Sequence, residues 1–292
     1  MVDFCIGSAQ FGMDYGVTNP LGKVPENEIK KIIEYASKNK IKFFDTAQTY
    51  GNSEKILGNY LKNFNKPRVI SKLSVKRKDL YDENDIKSWE DSFIKSLKNL
   101  NLEKIDSFLI HDVNTLKKEG SDILKNWLGS LVSRGLVDRV GISIYDAQDL
   151  EGISLEDIKL IQLPLSLYDQ RMIKNGTIDM LIKKEIAIHA RSIFFQGLLL
   201  VNQDFWPNSI SKRFREHHKK NLGPLNKLNS LEIILDFIFN CQFLEAALIG
   251  VTSLNQIKEI VNVRKNLEEK GFKEFEKYQW DNNFDLDPRN WN

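Results

Sequence analysis

Short apolar runs alternate with longer amphipathic stretches along the whole chain, and this alternation predicts β-strands separated by helices. Runs rich in apolar and β-branched residues, bounded by glycine and polar residues, place strands near 3–7, 41–45, 68–72, 105–110, 137–142, 158–163, 185–190 and 246–250. Between two of them Ile86, Trp89, Phe93, Leu97 and Leu100 recur at three- and four-residue steps, the spacing of one apolar helix face. Ile123, Trp127 and Leu131 recur at four-residue steps, flanked by Leu124, Leu128 and Val132. Strands alternating with helices favour parallel βα units over separate all-β and all-α blocks. Eight such units close a barrel, so the expectation is an α/β fold of the (β/α)8 type.

Composition narrows the picture. The 292 residues suit one TIM barrel, which takes about 250. No linker rich in Pro, Gly or Ser divides them, so 1–292 reads as a single domain with an insertion at 201–229 after the seventh strand and a tail at 275–292. With 41% hydrophobic and 28% charged residues the chain is globular, neither disordered nor fibrous. Lys and Arg number 42 against 40 acids, and a net charge of +2 implies no bulk attraction to nucleic acid or membrane. No apolar run approaches the roughly 18 residues of a membrane helix, and the N-terminus lacks a signal pattern. The only cysteines, Cys5 in a strand and Cys241 near a helix end, make no disulfide framework. A reducing cytoplasm is the simpler setting, with the chain a monomer or weak homo-oligomer.

Ionisable residues collect at strand ends. Directly after Ile41-Lys42-Phe43-Phe44 comes Asp45-Thr46-Ala47-Gln48-Thr49-Tyr50-Gly51, which sets a carboxylate and a phenol five positions apart. They fall where barrel enzymes keep their chemistry, at the C-terminal end of a strand and in its loop. The strands near 68–72 and 105–110 end in Lys72 and His111. Alone, each residue has a plainer role: cap, packing ring, solvated strand end, structural imidazole. Together Asp45, Tyr50, Lys72 and His111 suit proton delivery to a carbonyl oxygen. A phenol of pKa about 10 is a weak acid near neutrality; Lys72 beside it would lower that value, Asp45 would hold Lys72, and His111 would polarise the carbonyl. None of the four can supply a hydride, so the reaction needs a nicotinamide cofactor.

With Ser53-Glu54, Leu57-Gly58 and Ile110-His111-Asp112 added in order, these motifs resemble the aldo-keto reductase superfamily over nearly the whole chain. The resemblance implies that Asp45, Tyr50, Lys72 and His111 form a catalytic tetrad with Tyr50 the acid. It further implies an NAD(P)H-dependent oxidoreductase that reduces a small-molecule carbonyl (aldehyde, ketone or keto-sugar) to an alcohol. Gly7-Ser8-Ala9-Gln10-Phe11-Gly12 and Arg191-Ser192 resemble the bacterial members of sugar and surface-glycan pathways. Family barrels often open with a β-hairpin that plugs the bottom; here the first strand begins almost at Met1, so the plug is expected to be absent or replaced. Two other classes compete: a cofactor-binding sensor or regulatory subunit with little turnover, and a metal-dependent hydrolase using His111, Asp112 and His189. The second lacks a His-Glu-x-x-His motif or a clustered ligand set, and no metal site is read.

The cofactor contacts follow from the same resemblance. In Gly250-Val251-Thr252-Ser253-Leu254-Asn255-Gln256, Ser253 and Gln256 have capping-box spacing, and the N–H groups at the helix start make an anion site. Gly250, Thr252, Ser253 and Gln256 would hold the adenosine-side phosphate. Ser143 and Gln162 would meet the nicotinamide amide, although Ile144 stands where asparagine is usual. Arg191 would replace a stacking tyrosine on the nicotinamide, with Ser192, Gln196 and Gly197 following as cofactor contacts. Val251 occupies the neighbourhood of the usual cation for a 2′-phosphate, so NADP(H) is expected over NAD(H) by a narrow margin. Lys212, Arg213, Arg215, His217, His218, Lys219 and Lys220 form either a solvated lid or a site for an anionic or sugar-linked carbonyl. The tail, with Tyr278, Trp280, Arg289 and Trp291, either reaches the active site or staples the barrel exterior.

Overall fold

The computed structural model describes residues 2–62, 64–267 and 275–291. Eight strands, β1 (Asp3–Gly7), β2 (Phe43–Asp45), β3 (Arg68–Leu73), β4 (Ile105–Ile110), β5 (Val137–Ser143), β6 (Ile158–Pro164), β7 (Ala187–Arg191) and β8 (Ala246–Gly250), pair in sequence order. All pairs are parallel, and β8 closes on β1. The chain is a single-domain (β/α)8 barrel. Its helices begin with α1 (Ala9–Gly12), α2 (Glu26–Lys38), α3 (Ser53–Leu61), α4 (Glu83–Leu100) and α5 (Ser121–Ser133). After β6 come α6 (Arg171–Lys174), α7 (Thr177–Lys183), α8 (Lys212–Asn221) and α9 (Lys227–Asn240), then α10 (Leu254–Asn266) and α11 (Asn283–Leu286). Among the described residues no helix is long and apolar enough to cross a membrane.

The amphipathic stretches became helices with identifiable ends. Asp82 and Asp85 cap α4 reciprocally, and Asn101 in the left-handed region (φ 52°) stops it. The helix buries Trp89, Phe93, Leu97 and Leu100. On α5 the buried face is Leu124, Trp127, Leu128 and Leu131, and Val132 turns to solvent because it lies past the edge of that stripe. β2 is shorter than the sequence suggests. Lys40 (φ 60°) ends α2 in a left-handed turn, and the Ile41 N–H bonds back to the Ala36 carbonyl, so Ile41 finishes the helix.

A strand alternates its side chains between faces, and the lumen here is filled by a compact apolar layer of Cys5, Phe43, Ile70, Leu109, Leu160 and Ala246. Among the described residues no strand precedes β1. At the N-terminal ends of the strands, charges form a closed square. Arg68 binds Asp106 (2.6 Å) and Glu245 (3.2 Å), and Arg139 binds the same two carboxylates (2.8 and 2.9 Å). His189 donates to Glu245 as well (2.8 Å).

Candidate active site

Above the apolar layer the lumen becomes ionisable. Two positions beyond Phe43, Ile70, Leu109 and Leu160 stand Asp45, Lys72, His111 and Gln162, which the period of two turns to the same face. Lys72 is buried, and its ammonium donates to both Asp45 oxygens (2.6 and 2.7 Å) and to the Thr46 carbonyl (3.0 Å). Gln162 donates its amide to Asp45 (2.6 Å), which leaves its buried Oε1 without a partner. Tyr50 stands over this pair, the Lys72 Nζ lying 5.1 Å from its ring centroid.

The loop that carries Tyr50 is fixed by close backbone approach. A Cβ on Gly12 would lie 1.9 Å from the Tyr50 carbonyl oxygen, and Gly51 adopts φ 58° against the Gly12 carbonyl. Only glycine permits both. Beneath it, Ser8 donates to the Asp45 carbonyl and Ser53 to the Ser8 carbonyl, each at 2.8 Å, so the β1, β2 and α3 ends are tied together.

Electrostatics correct one expectation. Lys72 does not lower the Tyr50 pKa: loss of water around the phenol, followed by the Asp45 carboxylate, pushes it well above the ordinary value. Lys72 has spent its charge on Asp45. His111 packs edge-on to Tyr50 with centroids 5.8 Å apart and pairs through Nδ1 with the Thr49 hydroxyl (3.1 Å). Burial and the nearby Lys72 lower its pKa to about 4, so it is neutral at ordinary pH. His189 bonds Glu245 and does not line the cavity that His111 faces.

That cavity, about 560 Å3, runs from Asp45, Tyr50, Lys72 and His111 past Ser143, Gln162, Arg191, Ser192, Gln196 and Gly197 to Gly250, Thr252 and Gln256. Ser253 does not line it. The capping box is half made: the Ser253 hydroxyl accepts from the Gln256 backbone N–H (3.3 Å), but the Gln256 side-chain Oε1 turns to the Thr252 N–H (2.8 Å). Nor is the helix start vacant. The Leu254 N–H is taken by the Glu28 carboxylate (2.6 Å), which the bond holds below its usual pKa. A carboxylate from α2 thus occupies the positive end of α10. Arg191 donates to the Ile144 carbonyl (2.7 Å) and lies 4.0 Å from the Tyr145 ring centroid, so Tyr145 covers one face of the guanidinium expected to stack on a nicotinamide.

Loops and the helices around the rim supply residues that local pattern could not reveal. Tyr15, Tyr145, Lys227 and Glu259 all line the cavity, and Lys227 pairs with Glu259 at 2.8 Å. Thr18 donates to the Gln196 carbonyl (2.7 Å), joining the loop after α1 to the loop after β7. Ser192, Phe195 and Gln196 in the latter all have positive φ. The basic segment is elsewhere: none of Lys212, Arg213, Arg215, Lys219 or Lys220 lines the cavity. Arg215 donates to the Gln203, Trp206 and Pro207 carbonyls, and His217 bonds the Tyr278 carbonyl (2.9 Å). The tail packs there through Trp280 against Phe214 and through Trp291 against Phe195. It reaches the rim where Arg289 lies 3.9 Å from the Tyr145 ring.

The sequence model of the aldo/keto reductase family matches residues 3–279. No curated protein sequence matches the chain. Among solved structures, a holo-form aldo-keto reductase from Bacillus halodurans superposes with a TM-score of 0.71 at 16% identity, over 94% of this chain and 89% of that one. A putative aldo-keto reductase from Pseudomonas aeruginosa gives 0.65 at 18% identity, over 89% and 88%. The thermostable aldo-keto reductase Tm1743, in complex with the inhibitor epalrestat, gives 0.63 at 19% identity, over 94% and 92%. Likeness at these identities speaks to the fold alone.

Proposed function

The chain belongs to the aldo/keto reductase family, and we propose that this oxidoreductase reduces an aldehyde, ketone or keto-sugar to an alcohol, with Tyr50 as proton donor. The observation that carries the reading is the meeting, in one cavity, of a protonated phenol, a neutral imidazole and an ammonium locked to a carboxylate. The cavity fits a nicotinamide nucleotide: the buried Gln162 Oε1 lacks a donor of the kind a carboxamide offers, with Ser143 on the same wall. Ser143 and Gln162 would hold the nicotinamide end, and Gly250, Thr252 and Gln256 the adenosine end. The cofactor, when bound, supplies the hydride.

The residues of the chain manage the oxygen. In the tautomer in which Nδ1 accepts from the Thr49 hydroxyl, His111 carries its proton on Nε2 and can donate it toward a carbonyl oxygen. Tyr50 keeps its proton until the carbonyl oxygen gains negative charge, then releases it to that oxygen. The phenolate left behind faces the Lys72 ammonium, whose position the Asp45 carboxylate fixes. Asp45 in turn is held by Gln162. NADP(H) is favoured over NAD(H) by a narrow margin, because Val251 provides no cation and Glu28 already holds the α10 start. We place the enzyme in a reducing cytoplasm, where the buried free thiols Cys5 and Cys241 stay reduced.

Replacing Tyr50 with Phe tests the assignment. Carbonyl-dependent NADPH consumption should fall by about 10²–10⁴-fold, while the NADPH dissociation constant, read by cofactor fluorescence, stays within a few-fold. A variant that kept half its turnover would refute Tyr50 as the acid. The raised Tyr50 pKa also favours a second reading, a cofactor-binding sensor with little turnover. Tight nucleotide binding without consumption across a carbonyl panel that includes keto-sugars would select it.

A further inference from the structure

Among the described residues three permanent cations line the cavity: Lys72, Arg191 and Lys227. Lys72 is neutralised by Asp45 and Lys227 by Glu259, whereas Arg191 has no carboxylate partner among the described residues. Arg191 sits at the end of β7, two positions beyond His189 on the inward-turning face, beside the layer that holds Asp45 and Gln162. An unbalanced charge at the wall of a half-enclosed cavity is costly unless something answers it.

The side chain is also aimed. One Nη donates to the Ile144 carbonyl (2.7 Å), and the guanidinium rests 4.0 Å from the Tyr145 ring centroid. Arg289 of the tail lies 3.9 Å from the same centroid, so the ring is held between two guanidinium groups. Arg289 answers its own charge with Asp287 (2.9 Å); Arg191 does not. Of the five N–H groups on Arg191, one has a protein acceptor, and the buried Nε–H has none. A fork of this kind matches the two oxygens of a carboxylate or phosphate. Its charge reaches the reacting groups, since it works against the upward shift of Tyr50 and adds to the downward shift of His111.

Resting on the reductase reading above, we propose that Arg191 anchors an oxyanionic group carried by the carbonyl substrate, so that the substrate class is oxo acids or phosphorylated oxo compounds. The carbonyl would then lie within a few bonds of the anion, between Tyr50 and His111. Tyr145 and Arg289 are positioning residues for that anchor.

Matched carbonyl pairs test this with the full-length protein. Succinic semialdehyde against butanal probes the carboxylate source, and glyceraldehyde 3-phosphate against glyceraldehyde the phosphate source. The wild-type chain should prefer the anionic member of at least one pair. In Arg191→Gln the anionic-to-neutral ratio of kcat/KM should fall by about 10- to 100-fold, the loss of one charge-assisted anchor. Arg191→Lys, which keeps the charge without the fork, should fall between them. An unchanged ratio in Arg191→Gln overturns the proposal. So does a loss that appears wholly as a weaker NADPH dissociation constant by fluorescence, because Arg191 would then serve the cofactor. Equal wild-type use of neutral and anionic members sinks this inference but leaves the reductase reading standing. No turnover of any member sinks both.

Discussion

The Asp45–Lys72 pair offers a way to separate architecture from chemistry. Both side chains are nearly fully buried, and three acceptors surround the Lys72 ammonium. Lys72→Met would remove all three hydrogen bonds and leave the Asp45 carboxylate with the Gln162 amide as its remaining side-chain donor. Breaking one side of a buried pair strands a charge and costs about 3–5 kcal/mol. With that amide still in place the lower end applies, about 3 kcal/mol. Removing the stranded charge as well, in Lys72→Met with Asp45→Asn, should recover roughly 2 kcal/mol, because no unpaired carboxylate is then left buried. Turnover should recover in neither, since both variants lack the ammonium beside Tyr50. Urea unfolding followed by circular dichroism gives the stabilities, and carbonyl-dependent NADPH oxidation gives the rates. A single variant within about 1 kcal/mol of the parent, or a double variant no more stable than the single, would refute the argument that Asp45 exists to hold Lys72.

The other two predictions concern the barrel bottom and the adenosine end. His189 and the Arg139 guanidinium hold the Glu245 carboxyl at about 2 against an ordinary 4.5, in spite of its burial. A carboxylate with a depressed folded pKa contributes stability that is fully present above its unfolded value and is lost as pH falls from about 4.5 toward 2. Glu245→Gln should therefore cost up to roughly 3 kcal/mol at neutral pH and almost nothing near pH 2, and a deficit that did not shrink on acidification would rule out this origin. Glu28→Ala should free the Leu254 N–H at the start of α10 and tighten NADPH about 3- to 10-fold with NADH little changed. Fluorescence titration of both nucleotides decides it, and weaker or unchanged NADPH binding would mean that the phosphate lies elsewhere.

The barrel and the convergence of Asp45, Lys72 and His111 are readable in the sequence for one geometric reason. A strand repeats every two residues, so an apolar residue facing the lumen carries the next-but-one residue to the same face. Phe43 and Asp45, Ile70 and Lys72, Leu109 and His111, and Leu160 and Gln162 all obey this, and each second member lies within the last three residues of its strand or directly after it. Nothing beyond the local chain is needed to bring them together once eight strands close.

What the sequence leaves open depends on partners far away along it. Ser253 and Gln256 have the spacing of a capping box, but the Gln256 side chain accepts from the Thr252 N–H, and the neighbouring Leu254 N–H goes to Glu28, 226 residues away. Arg191 reads as a stacking group because of its place after β7, yet its direction is set by the Ile144 carbonyl, 47 residues away, and by Tyr145. The basic run at 212–220 is the converse case. Its charge suggests an anion site, and the aromatic side chains of Trp206, Phe214 and Trp280 draw the helix against the tail, where Arg215 satisfies backbone carbonyls. Burial of those rings outweighs the pull of scattered charges that water already screens. A count of positive residues along the chain therefore points to the wrong segment. The cation that matters for an anionic substrate is the one that the fold leaves without a carboxylate inside a cavity, and among the described cations that line it, that residue is Arg191.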